Sequence, residues 1–149
     1  MTQREEERLL SQIERAERTG TTAQLANALD HLAGFYHHGA RYGEAAPIYA
    51  RALGLWRQIL GPEHPSVGTL LVNLGAIYHH LGDLGSAEPL MRQAVAIFED
   101  DLNFDDDGAV EILERFVSAL RHDGRIEEAL RLGERLQKIA ALVRQVVRV

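Results

Sequence analysis

The chain has 149 residues, 46% of them hydrophobic, with 22 acidic and 16 basic side chains and a formal charge of −6. That length can hold one hydrophobic core, and the acidic balance argues against nucleic acid as the main partner, because phosphate binding needs a concentrated basic face. No cysteine is present, which removes disulfides and thiolate metal sites. No stretch approaches the ~18 apolar residues of a membrane span, so a cytoplasmic setting away from the membrane is expected.

Helical periodicity dominates from the first residues, and no strand pattern appears. Residues 3–18 place Leu9, Leu10, Ile13 and Ala16 on one stripe of an otherwise charged helix. Gly20 stops it, and Thr21 and Thr22 can cap the next. A helix over 22–38 then turns Leu25, Leu29, Leu32, Ala33 and Tyr36 inward. Its partner over 43–60 contributes Ala45, Ile48, Tyr49, Ala52, Leu53, Trp56 and Leu60. Trp56 and the tyrosines sit on the apolar stripes, which favours core packing over ligand stacking. Gly61-Pro62-Glu63-His64-Pro65 ends one helix and starts another.

The next pair, 66–81 and 84–102, turns in Leu70, Leu71, Leu74 and Tyr78, then Ala87, Leu90, Met91, Ala94, Ile97 and Phe98. Gly82 and Gly124 stand where the chain must reverse between paired helices, whereas the first pair has Ala40 there with Gly39 before it. From Arg125 onward the helical pattern runs past Leu136 without a break. Ile139, Ala140, Val143, Val146 and Val147 extend one apolar stripe, with Arg144 and Arg148 beside it.

These elements repeat. Leu32, Tyr36, His38, Ala45 and Ala52 return 42 positions later as Leu74, Tyr78, His80, Ala87 and Ala94. A weaker third copy gives Phe116, Leu120, His122, Ala129 and Leu136. Self-similarity at such a period is the signature of a solenoid, in which each unit buries its apolar face by stacking on its neighbours. Small residues such as Ala33, Gly75 and Ala87 let helix axes approach, and large ones fill the remaining space.

Asn73-Leu74-Gly75-Ala76-Ile77-Tyr78 with Ala87-Glu88-Pro89-Leu90, Leu32-Ala33-Gly34-Phe35-Tyr36, and the Gly-Pro-Glu-His-Pro connector resemble the tetratricopeptide repeat. The 42-residue unit, longer than the usual ~34, is similar to the kinesin-light-chain subtype. The resemblance implies an all-α superhelix, a solenoid of about three helical hairpins with flanking terminal helices. A single domain would then comprise a helix over 3–18, repeats over 22–63, 64–105 and 106–137, and a helical extension to 149. The third copy departs from the pattern at Phe116, Leu120, Gly133 and the acidic connector Asn103-Phe104-Asp105-Asp106-Asp107.

In tetratricopeptide proteins the first helix of each pair lines a concave surface. Carried onto this chain, the resemblance places Asn27, Asp30, His31, Gly34, His37 and His38 there from the first repeat. The second adds Thr69, Val72, Asn73, Ala76, His79 and His80, and the third Glu111, Glu114, Arg115, Ser118, Arg121 and His122. A lining of amides, imidazoles and charges suits a peptide or protein segment whose backbone is held by side-chain amides. The expectation is therefore a protein-interaction scaffold without enzymatic activity or cofactor. The alternatives are a self-assembling structural module and a metal-binding protein using the histidine rim.

His37, His38, His79, His80 and His122 form a ladder along that surface, and imidazole is a common metal ligand. Equivalent positions on successive units lie about a helix-packing distance apart, too far for all the rings to reach one ion. Asp105, Asp107, Gly108, Val110 and Glu114 match the spacing of a calcium loop, yet Asn103 stands at its first ligand position. Helix capping explains the same acids. No Gly-x-Ser-x-Gly turn or phosphate-cradling loop is present. An apolar stripe left over at the C-terminal helix predicts a symmetric homodimer, or failing that an intramolecular cap.

Overall fold

A computed structural model of the chain describes residues 2–101 and 103–147, apart from the side chains of Thr2, Val146 and Val147. Among these residues there are seven α-helices and no strand: α1 Thr2–Thr19, α2 Thr22–His38, α3 Tyr42–Leu60, α4 Pro65–His80, α5 Leu84–Glu99, α6 Asp107–His122 and α7 Ile126–Val147. The all-α expectation therefore holds. Contacts divide the chain into two compact units, Met1–Leu70 and Leu71–Val149, with the division inside α4.

In the first unit, α1 lies against α2, and α2 pairs with α3. Leu9 and Ile13 of α1 are buried, but Leu10 is 43% exposed, so the expected apolar stripe is narrower than its sequence suggests. Leu10 follows Leu9 by one residue, a 100° rotation on a helix that takes it off the packed face. Gly20 closes α1 through its N–H on the Ala16 carbonyl at 3.0 Å. A Cβ there would lie 2.8 Å from the Ala16 backbone, so only glycine fits. Thr21 then forms a capping box: its Oγ1 accepts from Gln24 N at 3.2 Å, and its own N–H donates to Gln24 Oε1 at 2.8 Å. Leu29, Leu32, Ala33 and Tyr36 of α2 meet Ala45, Tyr49, Ala52 and Leu53 of α3 in the core. Trp56 is half-buried and Leu60 is 37% exposed, although both were expected inside. Leu60 is the last residue of α3, where the helix runs past what packs on it.

In the second unit, Leu71, Leu74 and Ile77 are buried, as are Met91, Val95 and Phe98 of α5 and Leu113, Phe116 and Leu120 of α6. Tyr78 is only half-buried. The helix α5 stops at Glu99, not at 102 as the pattern suggests. Asp100 caps it, and Phe104 of the connector folds back to stack on Phe98 with ring centroids 4.1 Å apart. Helix α7 packs on both α6 and α5, and Arg135 Nε donates to Glu99 Oε1 at 2.7 Å.

All three hairpins reverse in the same way. The N–H groups of Arg41, Asp83 and Arg125 reach back to the carbonyls of Tyr36, Tyr78 and Leu120 at 2.8, 2.9 and 2.9 Å. This is the six-to-one bond of a Schellman turn, which needs a left-handed residue before the donor. Gly82 and Gly124 supply it at φ 79° and 82°, and Ala40 at φ 58°. An L-residue there carries about 1–2 kcal/mol of strain, partly offset by the ~0.4–1 kcal/mol that a methyl contributes through the unfolded chain. Ala40→Gly is therefore expected to raise the denaturant midpoint slightly, and Gly82→Ala to lower stability by about 1 kcal/mol. Opposite signs in parallel urea titrations check both.

Candidate functional site

The face of α2 predicted from the register opens onto a cleft whose other wall is α1. Glu5, Arg8, Leu9 and Gln12 line it from α1, and Asp30, His31, Gly34, Phe35 and His38 from α2, around about 1050 Å³. A second pocket of about 440 Å³ adjoins it along the same helix pair, sharing Gln12 and His31 and reaching Gln24 and Asn27. Together they make a furrow running most of the length of two antiparallel helices. The α1 wall was not foreseen in the sequence. Its signal was present: Glu5, Arg8, Gln12, Arg15 and Thr19 recur at three- and four-residue spacing beside the buried Leu9–Ile13 stripe.

Helix α1 is fastened there by charge. Tyr36 Oη donates to Glu6 Oε1 at 2.9 Å, Arg41 Nη1 to Glu6 Oε2 at 2.9 Å, and Arg41 Nη2 to Glu44 Oε2 at 2.7 Å. The Arg41 guanidinium also lies 4.5 Å above the Tyr36 ring. Hydrogen bonding from Arg41, then from Tyr36, holds the Glu6 carboxyl below its ordinary pKa. Burial, then the bond to Glu6, pushes the Tyr36 phenol up. A second ion pair, Arg51 to Glu17 at 2.8 Å, ties the other end of α1 to α3.

Within the cleft, Asp30 is half-buried. Its Oδ2 accepts the Trp56 indole N–H at 2.8 Å, while Oδ1 is buried without a partner. Burial raises the Asp30 pKa, with the Trp56 bond and the nearby His31 pulling the other way. His38 points its Nδ1 at the Gly34 carbonyl, 2.7 Å away, and so donates to it.

The other predicted residues divide. His37 leaves the cleft and packs edge-on to Tyr42 and Tyr49, at centroid distances of 5.8 and 6.3 Å. Thr69 turns its hydroxyl onto the Pro65 carbonyl at 3.4 Å. Val72 and Ala76 are buried and cannot line a surface; Asn73 between them is half-buried. His79 packs edge-on to Phe116 at 5.9 Å and beside the ring of His80 at 6.0 Å. In the second unit, Glu114, Ser118 and Arg121 line a cavity of about 490 Å³ with Gly133, Gln137, Ala140 and Arg144 of α7. Arg144 reaches across it to Glu114 at 3.3 Å. Arg115 projects away and lies 4.0 Å from Glu111, and His122 is exposed.

Of the ladder, His37 and His79 pack against aromatic rings while His38, His80 and His122 are exposed, and among the described residues no cluster of three His, Cys, Asp or Glu could hold a metal ion. The acidic connector is not a chelating loop. Asp106 caps α6 by accepting from Ala109 N at 3.0 Å, and residues 107–114 are already helical. The C-terminal stripe corrects a further expectation. Ile139, Ala140 and Val143 are buried within the chain itself, Val143 to 1% exposure, so this surface is not available to a second copy. The side chains of Val146 and Val147, and all of Arg148, lie outside the described residues. Helix α7 is long enough to lay that stripe along α6 and α5.

Burial, then the neighbouring His80, holds the His79 pKa below its ordinary value. Its neutral form is therefore the one the fold favours. This contribution to stability is complete above the unfolded pKa of about 6.5 and is lost as pH falls through the lower folded value. Urea midpoints are expected to drop between pH 7.5 and 5, and His79→Gln should flatten that dependence.

Tetratricopeptide repeats match residues 24–100, more than half of the chain. The chain belongs to the tetratricopeptide repeat family. Among solved structures, a protein of Podosopora anserina described as a kinesin light chain with nearly identical TPR-like repeats is 22% identical with a TM-score of 0.71. The alignment covers 94% of this chain and 67% of that one. A variant of the same protein gives 22% and 0.72, over 97% and 69% of the two chains. BtubC (BKLC) from P. vanneervenii gives 21% and 0.73, over 93% of this tetratricopeptide chain but only 55% of its own length. At these identities the likeness is one of fold, the kinesin-light-chain type of repeat. No curated protein matches the chain. No helix among the described residues is long and apolar enough to cross a membrane.

Proposed function

We propose that the chain is a non-enzymatic adaptor that holds an extended segment of a partner protein against the first helices of its hairpins, in a cytoplasmic setting. Tetratricopeptide repeats generally mediate protein–protein interaction, and scaffolds of this family are generally not enzymes. The observation that carries the reading for this chain is the furrow between α1 and α2. It is long, open along its length, and lined by Gln12, Gln24, Asn27, His31 and His38, side chains that can hydrogen-bond a peptide backbone. Such a lining binds main chain along its whole course, leaving side chains to set specificity.

Selection from a displayed random-peptide library tests this. Wild type is expected to enrich a peptide family. Asn27→Ala with His31→Ala, both exposed positions, should lose it with helicity and melting unchanged. A parallel variant, Asn73→Ala with His80→Ala, reports whether the α4 face takes part. No enrichment, or peptides that bind the Asn27/His31 variant as tightly as wild type, overturns the reading for this furrow.

A further inference from the structure

The α1–α2 furrow contains a charge with an incomplete environment. Asp30 turns Oδ2 to Trp56, while Oδ1 is buried and accepts no hydrogen bond. A carboxylate oxygen taken out of water without a donor is costly, and a buried group left unsatisfied calls for a physical explanation. None of the ion pairs in the described residues includes Asp30. Arg41, which lines the same cleft, is committed: its Nε and Nη2 go to Glu44 and its Nη1 to Glu6. Arg8 stands on the opposite wall, and Glu5 beside it adds a second carboxylate to the cleft.

The cleft that Asp30 lines has an unfilled gap. One turn along α2, Gly34 has no side chain, and a Cβ there would find only Tyr49 Oη, at 3.8 Å. The adjacent Phe35 lines the same cleft with an aromatic ring. A carboxylate oxygen seeking donors, a glycine gap and a ring form a seat for a planar or tetrahedral organic cation, bonded on one side and resting on the ring on the other. A metal ion fits poorly, because no cluster of three ligating groups exists among the described residues.

We propose that Asp30 is the anchor for a cationic side chain, arginine or lysine, of the segment bound in the α1–α2 furrow. The inference rests on the peptide-binding reading above and names the chemistry of its specificity. Burial raises the Asp30 pKa, and an arriving cation restores the stabilisation of the charged form that lost hydration removed.

The test uses a reporter built into the chain. Trp56 is the only tryptophan, and its indole N–H lies 2.8 Å from Asp30 Oδ2. Labelled full-length protein is titrated with N-acetyl-arginine amide and with its neutral isostere, N-acetyl-citrulline amide. The arginine probe is expected to shift the Trp56 indole cross-peak saturably. The citrulline probe, and the arginine probe on Asp30→Asn, should bind roughly tenfold more weakly. Asparagine keeps an acceptor for Trp56. Gly34→Leu, which fills the gap and leaves the carboxylate intact, should also abolish the shift, so the test does not depend on one variant folding. An unsaturable Trp56 response, equal binding of the two probes, or undiminished binding by Asp30→Asn overturns the inference. The probe needs no partner protein. Library peptides enriched without a response to the probe would defeat this inference alone, whereas a probe response without any enriched peptide would overturn both the peptide-binding reading and the assignment of the cation to a bound segment.

Discussion

Phe116→Ala is expected to cost about 3–5 kcal/mol, a large share of the ~5–15 kcal/mol available to a domain. Phe116 is the largest fully buried side chain, with 0% exposure, and it carries the edge of His79 at 5.9 Å. The corresponding residues of the first two repeats are Leu32 and Leu74, both buried. The third repeat thus fills with a ring what its relatives fill with a branched chain. Truncation to alanine leaves a cavity that helices α6 and α7 can only partly close. Phe116→Leu should cost much less, about 1 kcal/mol. Urea unfolding followed by circular dichroism checks both. An alanine variant within about 1 kcal/mol of wild type would show that this part of the core is not packed as described.

Gly75→Val is expected to be the next most damaging change, at about 1–3 kcal/mol or more. A Cβ at Gly75 would lie 2.9 Å from Met91 Cε, 3.0 Å from Sδ and 3.2 Å from Cγ. Methionine is flexible, and its terminal methyl could swing aside if it had somewhere to go. Met91 is wholly buried, however, so the whole side chain must repack. The sign is informative, because removing a helix-interior glycine would otherwise stabilise by roughly 0.5–1 kcal/mol. A double-mutant cycle isolates the contact: Met91→Ala removes the obstacle and should make Gly75→Val much less costly than in wild type. Additive effects would mean that the two residues do not meet. Gly34, the equivalent glycine of the first repeat, gives a contrast: its Cβ would meet only Tyr49 Oη at 3.8 Å, so Gly34→Ala should be tolerated.

Much of the fold was legible because its signals are local. Helix α2 begins and ends where Thr21, Gln24 and Gly39 place it, since capping depends on residues three or four apart. The hairpin reversals at Gly82 and Gly124 follow from the one backbone region that glycine enters freely, and the 42-residue repeat located Ala40 as their counterpart. Periodicity identified Leu29, Leu32, Met91 and Phe98 as core because a helix presents one face whatever covers it.

The candidate site was legible by half. The register found Asn27, Asp30, His31 and His38, but it could not tell that α1 stands opposite them. It took His37, Val72 and Ala76 for surface, yet neighbouring elements claim them. The same limit explains the C-terminal stripe: an apolar face on α7 says that something must cover Ile139 and Val143, and only the tertiary packing shows that α5 and α6 do so. By itself, then, the sequence determined the helices, their turns and most of their inward faces, properties of residues within one or two turns of each other, and the 42-residue repeat determined the family. Tertiary structure alone decided which face meets which: the pairing of Asp30 with Trp56, the Glu6–Tyr36–Arg41 clasp and the furrow between α1 and α2. The Asp30–Trp56 pair and the clasp join residues 26 to 35 positions apart, and no spacing within a helix encodes a contact that depends on how two rigid elements come to rest against each other.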